Sequence, residues 1–468
     1  MKKMIVIINF IFFLLSSNLQ GQSTQDTKKE YPEVDTIVNA FLKQANLPGL
    51  SIAVNRNGKI IYAQGFGYAD VISKVKMSPL TQLRTASVAK VITATALGKL
   101  LSEEKLNLDA PVKKYIPYIN DKYANLTTRQ LAGHTSGMQH RPKGTSYKRK
   151  QFSTIKETIE LMNAPLLFAP DTDYEYSTHA FNILAGVIEG ASGKRYTEYL
   201  NESIFKPLKM YYTAPENIKQ LTDKDAKLYY VKEDKLREDK LTNASYKIPG
   251  AGFRSTPIDL AKMMNAYTTG FLSQKAIDEL FKSHQLKNGK KTNVGIAWRS
   301  SIDIFGHPVI EHAGKWRGAR TVIVYYPEEK LSVSLMINAD CPVYIEETAH
   351  ILAQFFRDDD KKLFKKHTYN HKIELTSGKG ENRKVFKGKL SLEGLQGSLK
   401  VDTDNFLKSN PIYRLKKEHH YTLVTRHGLL FLELSDSSDF NGQLFIYGSR
   451  NKINPKHNTP ALSFVPIN

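Results

Sequence analysis

Residues 84–97 have the sequence RTASVAKVITATAL, and this stretch decides which fold the chain adopts. It contains an S-x-x-K pattern, from Ser87 to Lys90, at the start of a helical pattern that runs from Val88 to Lys105. Residues three apart on a helix share a face, so the serine hydroxyl and the lysine amine can meet. A serine becomes a nucleophile when a nearby base takes its proton, and a desolvated lysine is neutral enough to help.

The S-x-x-K pattern is weak by itself, because it also occurs at Ser73, Ser102, Ser153, Ser203 and Ser449. Only Ser87 opens a long helical pattern of small and apolar residues, in which the lysine pKa can fall and the helix N-terminus favours developing negative charge. The competing interpretation of Ser87 is a helix N-cap.

Two further patterns accompany this one. Tyr176-Ser177-Thr178 precedes a helical pattern over residues 181–189, and His312-Ala313-Gly314 ends a predicted strand. In order, the three elements match S-x-x-K, Y-x-N/T and K/H-x-G, and the chain thereby resembles the serine β-lactamase-related family. That family includes class C β-lactamases, penicillin-binding carboxypeptidases and similar esterases. The resemblance covers about residues 33–356, including framework-like segments at 62–70, 106–112, 131–137 and 250–256.

Within the family, the Tyr-Ser-Thr and His-x-Gly forms look like those of the mitochondrial serine β-lactamase-like protein and its bacterial relatives. The resemblance implies that Ser87 forms an acyl-enzyme and that Lys90 and Tyr176 share the proton transfers, with either one as the base. It also implies an oxyanion hole made by the backbone N–H groups of Ser87 and Lys315. The implied substrate-binding residues are Thr178, His312, Gly314 and Lys315.

Two positions depart from the family pattern. Thr178 stands where class C enzymes have asparagine, and His312 stands where antibiotic-hydrolysing members have lysine. A lysine offers a permanent cation to a substrate carboxylate, whereas histidine is mostly neutral at pH 7. The resemblance therefore favours amide or ester hydrolysis over β-lactam hydrolysis, and Lys315 and Arg317 are candidates to restore positive charge.

The hydrophobic periodicity predicts a mixed α/β (α+β) fold with an antiparallel sheet, and the resemblance implies the β-lactamase/transpeptidase type with a helical subdomain. We predict a catalytic domain over residues 33–357 and a small all-β module over residues 370–468. Five short strands are predicted in that module, at 385–390, 397–401, 421–425, 429–434 and 444–448.

Residues 1–21 have the layout of a cleavable secretory signal, with Lys2 and Lys3 before an apolar run that is too short to span a bilayer. We therefore expect a secreted protein, periplasmic or extracellular, with no membrane span after cleavage. The chain has 67 Lys and Arg against 46 Asp and Glu, for a net charge of +21. For an exported chain without a nucleic-acid motif, this excess favours an anionic cell-envelope polymer over nucleic acid as a possible partner.

Cys341 is the only cysteine of the 468 residues, which excludes an internal disulfide and a cysteine-based zinc cluster. Glu418-His419-His420 has no third metal ligand nearby and is predicted to be exposed. We expect no cofactor and no metal, because the proposed proton transfers use side chains alone.

The leading hypothesis is an exported serine hydrolase that acts on a peptide, a D-amino-acid peptide or a small ester. The alternatives are a β-lactamase or D-alanyl-D-alanine carboxypeptidase, and a catalytically weak envelope-binding scaffold. The C-terminal module fits a lid over the site or a docking domain equally well.

Overall fold

The computed structural model describes residues 31–142, 150–358, 368–377, 383–403, 407–435, 441–445 and 462–466. The predicted signal at residues 1–21 lies outside the described residues. The strands before residue 358 are β1 Gly49–Arg56, β2 Lys59–Asp70, β3 Val75–Lys76, β4 Leu83–Arg84, β5 Ala214–Pro215, β6 Tyr229–Lys232, β7 Lys235–Glu238, β8 Phe253–Ser255, β9 Arg299–Ile302, β10 Pro308–Trp316, β11 Ala319–Tyr326, β12 Leu331–Ile337 and β13 Ala339–Asp340.

A seven-stranded sheet with the order β3-β2-β1-β12-β11-β10-β9 forms the centre, and the pairs described between its strands are antiparallel. The β1–β2 hairpin turns at Asn57 and Gly58, both with positive φ, as the Asn-Gly pair predicts. The helices are α1 Pro32–Gln44, α2 Ala89–Ser102, α3 Asp121–Ala124, α4 Thr128–Ala132, α5 Ile155–Glu160, α6 Ala180–Ser192, α7 Tyr196–Leu200, α8 Ile248–Ala251, α9 Pro257–Met263, α10 Asn265–Thr268, α11 Gln274–Phe281 and α12 Ile345–Ala353.

The sheet separates two apolar cores, because alternate side chains of a strand point to opposite faces. On β11, Val322 and Val324 belong to the core formed with α1 and α12, whereas Ile323 and Tyr325 belong to the core formed with α2, α6 and α9. The predicted mixed α/β fold with an antiparallel sheet and flanking helices is confirmed.

The C-terminal strands close into a barrel in sequence order. Its strands are β14 Thr368–Ser377, β15 Lys384–Glu393, β16 Gln396–Val401, β17 Ser409–Arg414, β18 His420–Thr425, β19 Gly428–Leu434, β20 Gly442–Phe445 and β21 Leu462–Pro466. Five of these eight were predicted and β14, β17 and β21 were missed. β17 contains Pro411, which lowers strand propensity, and β14 begins at Thr368, before the predicted start of the module at residue 370.

The barrel contacts the rest of the chain through α1 and α12, on the sheet face away from α2. Val424, Leu429 and Phe431 of the barrel share one apolar core with these helices, and Phe431 stacks edge-on against Phe305 with ring centroids 4.9 Å apart. The described part of the barrel thus lies against the face of the sheet opposite to Ser87, which does not fit a lid.

One local prediction is wrong. His420 is 7% exposed, not solvated, because its ring packs against Phe305 and Phe431 where the barrel meets the sheet domain. Across the described residues there is no cluster of metal-ligating side chains. No helix in the same ranges is long and apolar enough to cross a membrane.

Candidate active site

Ser87 lies in the short 3₁₀ turn Ala86–Val88 that leads directly into α2. The N-cap position of α2 is Val88, and no side chain caps the helix, so the N-cap interpretation of Ser87 does not hold. Ala86 has a φ of 44°, a left-handed conformation that costs an alanine about 1 kcal/mol and is common at functional turns. The turn leaves the Ser87 side chain partly exposed at the start of an otherwise buried helix.

Lys90 is completely buried, one helical turn beyond Ser87. Its Nζ lies 3.4 Å from Ser87 Oγ, 3.1 Å from Thr178 Oγ1 and 2.7 Å from the carbonyl oxygen of Gly250. Burial, reinforced by the charges of Arg299 and Arg141, holds the pKa of Lys90 well below its usual value. A neutral amine has two N–H donors for Gly250 and Thr178, which leaves its lone pair free to accept the Ser87 hydroxyl proton.

Tyr176 and Thr178 belong to a loop that two histidines hold by their Nδ1 atoms. His134 Nδ1 accepts the backbone N–H of Ser177 at 3.1 Å, and His140 Nδ1 accepts that of Thr178 at 3.3 Å. The resulting position places the Tyr176 ring centroid 4.8 Å from Lys90 Nζ. The structure thus brings the second predicted pattern against the first.

The side chain of Thr178 is 6% exposed and contacts Lys90, so it positions the amine and presents little surface to a substrate. The two histidines have to be neutral in order to accept these bonds. Burial lowers the pKa of His140 to about 4, aided by Arg141 and Lys90, and burial also holds the pKa of His134 well below its usual value.

Strand β10 carries the third pattern and runs beside the Ser87 turn. A Cβ added to Gly314 would lie 2.6 Å from the carbonyl oxygen of Thr85 and 2.9 Å from the backbone nitrogen of Ser87, so only glycine allows this approach. Lys315 follows directly, and its backbone stays the predicted second donor of the oxyanion hole.

His312 is fully buried on the same strand, with its ring centroid 6.3 Å from that of Tyr176. Its Nδ1 lies 2.8 Å from the carbonyl oxygen of Ala313, which can only accept a hydrogen bond, so Nδ1 carries the proton. Burial and the charges of Arg299 and Lys90 hold the pKa of His312 well below its usual value. Nε2 is then a lone-pair acceptor with no partner among the described residues.

The two cations expected to compensate for His312 are both engaged elsewhere. Lys315 Nζ lies 3.5 Å from Asp340, and the Arg317 guanidinium lies 3.1 Å from Asp239. The sequence analysis missed other residues that shape the site: the Gly250 carbonyl, Arg141, Arg299 and Lys247. Gly250 stood in a framework-like segment, which was a usable signal, whereas nothing local distinguished the three cations.

The profile of the beta-lactamase family matches residues 34–354. Among curated proteins, the human mitochondrial serine beta-lactamase-like protein LACTB is 29% identical over 306 residues, which is 50% of this chain and 56% of that protein. Protein flp of Staphylococcus aureus is 32% identical over 195 residues, 40% of this chain and 39% of its own length. The chain thus spans about half the length, or less, of the curated relatives it matches.

Solved structures show the same fold. The octameric penicillin-binding protein homologue from Pyrococcus abyssi aligns with 93% of this chain and 99% of its own, with a TM-score of 0.59 and 21% identity. D-amino acid amidase from Ochrobactrum anthropi SV3 covers 66% of this chain and 91% of its own, with a TM-score of 0.58 and 21% identity. The hydrolase EstCE1, with promiscuous acyltransferase activity, covers 70% and 97%, with a TM-score of 0.55 and 21% identity.

Proposed function

Because the chain belongs to the beta-lactamase family of serine hydrolases, we propose that it cleaves an ester or amide bond of a small ester, peptide or D-amino-acid peptide through an acyl-enzyme on Ser87. The observation that carries this proposal is the buried Lys90 amine, whose Nζ lies 3.4 Å from Ser87 Oγ and whose pKa burial holds well below its usual value. The solved relatives named as a D-amino acid amidase and as a hydrolase with promiscuous acyltransferase activity support this substrate range.

In the proposed reaction, Ser87 Oγ attacks the substrate carbonyl carbon while its proton passes to Lys90 Nζ. The backbone N–H groups of Ser87 and Lys315 stabilise the oxyanion. The protonated Lys90, with Tyr176 beside it, returns the proton to the leaving amine or alcohol, and water then releases the acyl group. The proton path from Lys90 to the leaving group runs along the Tyr176 side of the site.

His312 favours a substrate that donates a hydrogen bond over one that needs a cation at this point. Its unprotonated Nε2 can accept an N–H or O–H, whereas a lysine in its place would donate. We therefore favour the hydrolysis of esters and amides over β-lactam hydrolysis and carboxypeptidase action as the activity of this site. The predicted secretory signal makes the cell envelope the proposed place of action.

Labelling with a fluorophosphonate, read as intact mass, tests the nucleophile. We expect one adduct on the native protein, none on Ser87→Ala, and an unchanged adduct on Ser153→Ala, an exposed serine that also stands in an S-x-x-K pattern. An adduct that persists in Ser87→Ala would contradict the assignment. Substrate panels of esters, D-amino-acid peptides and a chromogenic cephalosporin then rank the three candidate activities.

A second proposal concerns the barrel as a docking surface for an anionic polymer. Lys372 of β14 pairs with Lys389 of β15, which in turn pairs with Lys400 of β16, and all three are exposed. Like charges directly opposite each other destabilise a sheet, and a bridging polyanion would remove this repulsion. The row supports the binding of a cell-envelope polyanion at the barrel wall.

Retention on immobilised long-chain polyphosphate in 0.1 M salt, on the order of physiological screening, tests this surface. The triple variant of Lys372, Lys389 and Lys400 to glutamine should elute at markedly lower salt than the native protein. A control triple variant at the exposed residues Lys113, Lys156 and Lys282 keeps the same net charge. Equal elution of the two triple variants would show that net charge alone, and no defined surface, is responsible.

A further inference from the structure

The active-site face of β10 continues past Gly314 to Trp316. Alternate residues of a strand share a face, so His312, Gly314 and Trp316 all point toward the Ser87 turn. His312 lies at the Tyr176 end of this row, and Gly314 lies against Ser87. Trp316 therefore marks the opposite end of the substrate cleft.

Lys247 lies at that end, with its Nζ 3.5 Å from the centroid of the Trp316 ring. The residue is only 7% exposed, and no described residue forms a hydrogen bond or an ion pair with its ammonium. Arg84 contacts the same indole ring, with its guanidinium carbon 4.2 Å from the centroid. Unlike Lys247, Arg84 forms a buried ion pair, with Glu216 at 2.7 Å.

The electrostatic surroundings make this unpaired amine unusual. Burial lowers the pKa of Lys247 to about 6, and the charges of Arg141, Lys90 and Arg84 contribute to the shift. Glu216 opposes the shift only weakly, since it already pairs with Arg84 and with Arg254. An anion that enters the cleft would raise this pKa, because it supplies the counter-charge that lets the buried amine hold its proton.

The charged influences on the other titratable groups of the cleft come from basic residues. The strongest charged influences on Lys90, His134, His140, His179 and His312 are lysines, arginines and histidines, with no carboxylate among them. Asp239 and Asp340 are engaged by Arg317 and Lys315, and Glu311 of β10 pairs with His350 on the other face of the sheet. The arginines among these groups disfavour a substrate with a free ammonium group.

We propose that Lys247, held over Trp316, binds a carboxylate of the acyl substrate and thereby selects anionic substrates over neutral and cationic ones. The proposal rests on the hydrolase activity assigned to Ser87. In this proposal Lys247, at the Trp316 end of the cleft, recognises the negative charge of the substrate. The third pattern does not, since His312 is neutral. A carboxylate there would form an ion pair with Lys247 while the scissile carbonyl lies between Ser87 and Gly314.

Three 4-nitrophenyl esters of matched length test the substrate class: the monoester of adipic acid, its terminal primary amide, and the ester of 6-aminohexanoic acid. They carry a carboxylate, a neutral amide and an ammonium at the same place. For the native protein we expect kcat/KM of the carboxylate ester to exceed that of the neutral amide by at least about tenfold, as one ion pair allows. The ammonium ester should be the slowest of the three.

Substitutions at Lys247 then assign the preference to this residue. In Lys247→Met the ratio of kcat/KM for the carboxylate and neutral esters should fall toward one, mainly through KM. Lys247→Arg should restore part of the ratio. Lys282→Met, at a lysine whose side chain is 68% exposed on the far helix α11, should keep the native ratio. Because each ratio is taken within one variant, it does not depend on the fraction of folded protein.

The outcomes separate this proposal from the hydrolase activity itself. If the native protein cleaves the carboxylate and neutral esters equally well, or if Lys247→Met retains the native ratio, the proposal is wrong while the hydrolase stands. If none of the esters is cleaved and no fluorophosphonate adduct forms on Ser87, it is the proposed function that fails. Should Lys247→Met not fold, the three-ester comparison on the native protein and on Lys247→Arg still decides.

Discussion

Lys90 and Lys247 show how the same residue type acquires two uses through its hydrogen-bond partners. Both are buried lysines with lowered pKa values. Lys90 lies within hydrogen-bonding distance of three oxygens, which fix the direction of its lone pair toward Ser87. Among the described residues, the Lys247 amine lies over the rings of Trp316 and Tyr246 and forms no ion pair, so in our proposal its counter-charge comes from a ligand. Desolvation supplies the lowered pKa in both cases, and the contacts decide the role.

Glu311 and His350 give a residue-scale prediction with a definite pH dependence. Burial alone would lower the pKa of His350, but the Glu311 carboxylate at 2.8 Å and Asp303 raise it to about 9. A raised pKa in the folded state contributes stability that is complete below the unfolded value near 6.5 and is lost as pH rises through about 9. Glu311→Gln should therefore lower the free energy of unfolding by about 3–5 kcal/mol at pH 6, because it leaves a buried cation unpaired.

Urea unfolding at pH 6 and at pH 9.5 measures this effect. The difference between the native protein and Glu311→Gln should shrink by more than half at the higher pH, where His350 is neutral in both proteins. Glu328→Gln is the control, at an exposed carboxylate in the turn between β11 and β12. A difference that does not change with pH would show that the pair is not ionised in the folded protein.

At the scale of elements, β10 links both faces of the sheet. Glu311 reaches α12 on one face, while His312 and Gly314 face Ser87 on the other. Gly314→Ala should displace the strand from the Ser87 turn, since the new Cβ would meet two backbone atoms that cannot move aside. We expect kcat/KM to fall by about 100-fold, because a displacement of about 1 Å suffices for such a loss, and stability to fall by about 1–3 kcal/mol.

The fluorophosphonate labelling rate and a thermal melt measure the two effects separately. Ala313→Ser, at the neighbouring position whose side chain points to the other face, should leave the labelling rate within about twofold. If the fluorophosphonate labelled Gly314→Ala at the native rate, β10 would not need this close approach to form the oxyanion hole.

The elements differ in how far the sequence could predict them. Helix α2 and the β1–β2 hairpin were predictable because the periodicity of small and apolar residues and the Asn57-Gly58 turn act locally. Strand β17 was not, because its burial comes from neighbouring strands that outweigh the cost of Pro411. The contact between Ser87 and Lys90 could be predicted from helical spacing. Lys247, in contrast, reaches the cleft through the segment before α8. Only the fold brings that segment to Trp316, and no sequence spacing encodes it.

At the scale of the whole molecule, the barrel and the sheet domain share an apolar core. Phe431 of the barrel is 5% exposed and contacts Phe305 of the sheet domain. Phe431→Ala should lower stability by about 3–5 kcal/mol, the usual loss for a buried aromatic side chain. Since the core is shared, the urea midpoint for loss of fluorophosphonate labelling should fall together with the midpoint for loss of sheet signal by circular dichroism.

Lys389→Ala on the exposed barrel wall should lower neither midpoint. If Phe431→Ala lowered only the circular dichroism midpoint and spared the labelling midpoint, the barrel would unfold as an independent unit. The shared core also means that removal of residues from about 366 onward would uncover apolar side chains of α1 and α12. Substitutions on the barrel wall are therefore the sounder way to test docking.

The shared core also bears on how such a chain could arise and diverge. A domain joined by a linker can be exchanged between genes at a single breakpoint, but this barrel depends on α1 at one end of the sheet domain and on α12 at the other. A recombination event that brought in a foreign barrel would have to replace both helices as well, at positions more than 300 residues apart in the sequence. We therefore expect the barrel and its catalytic partner to be inherited together, with the outer wall of the barrel as the part that is free to vary.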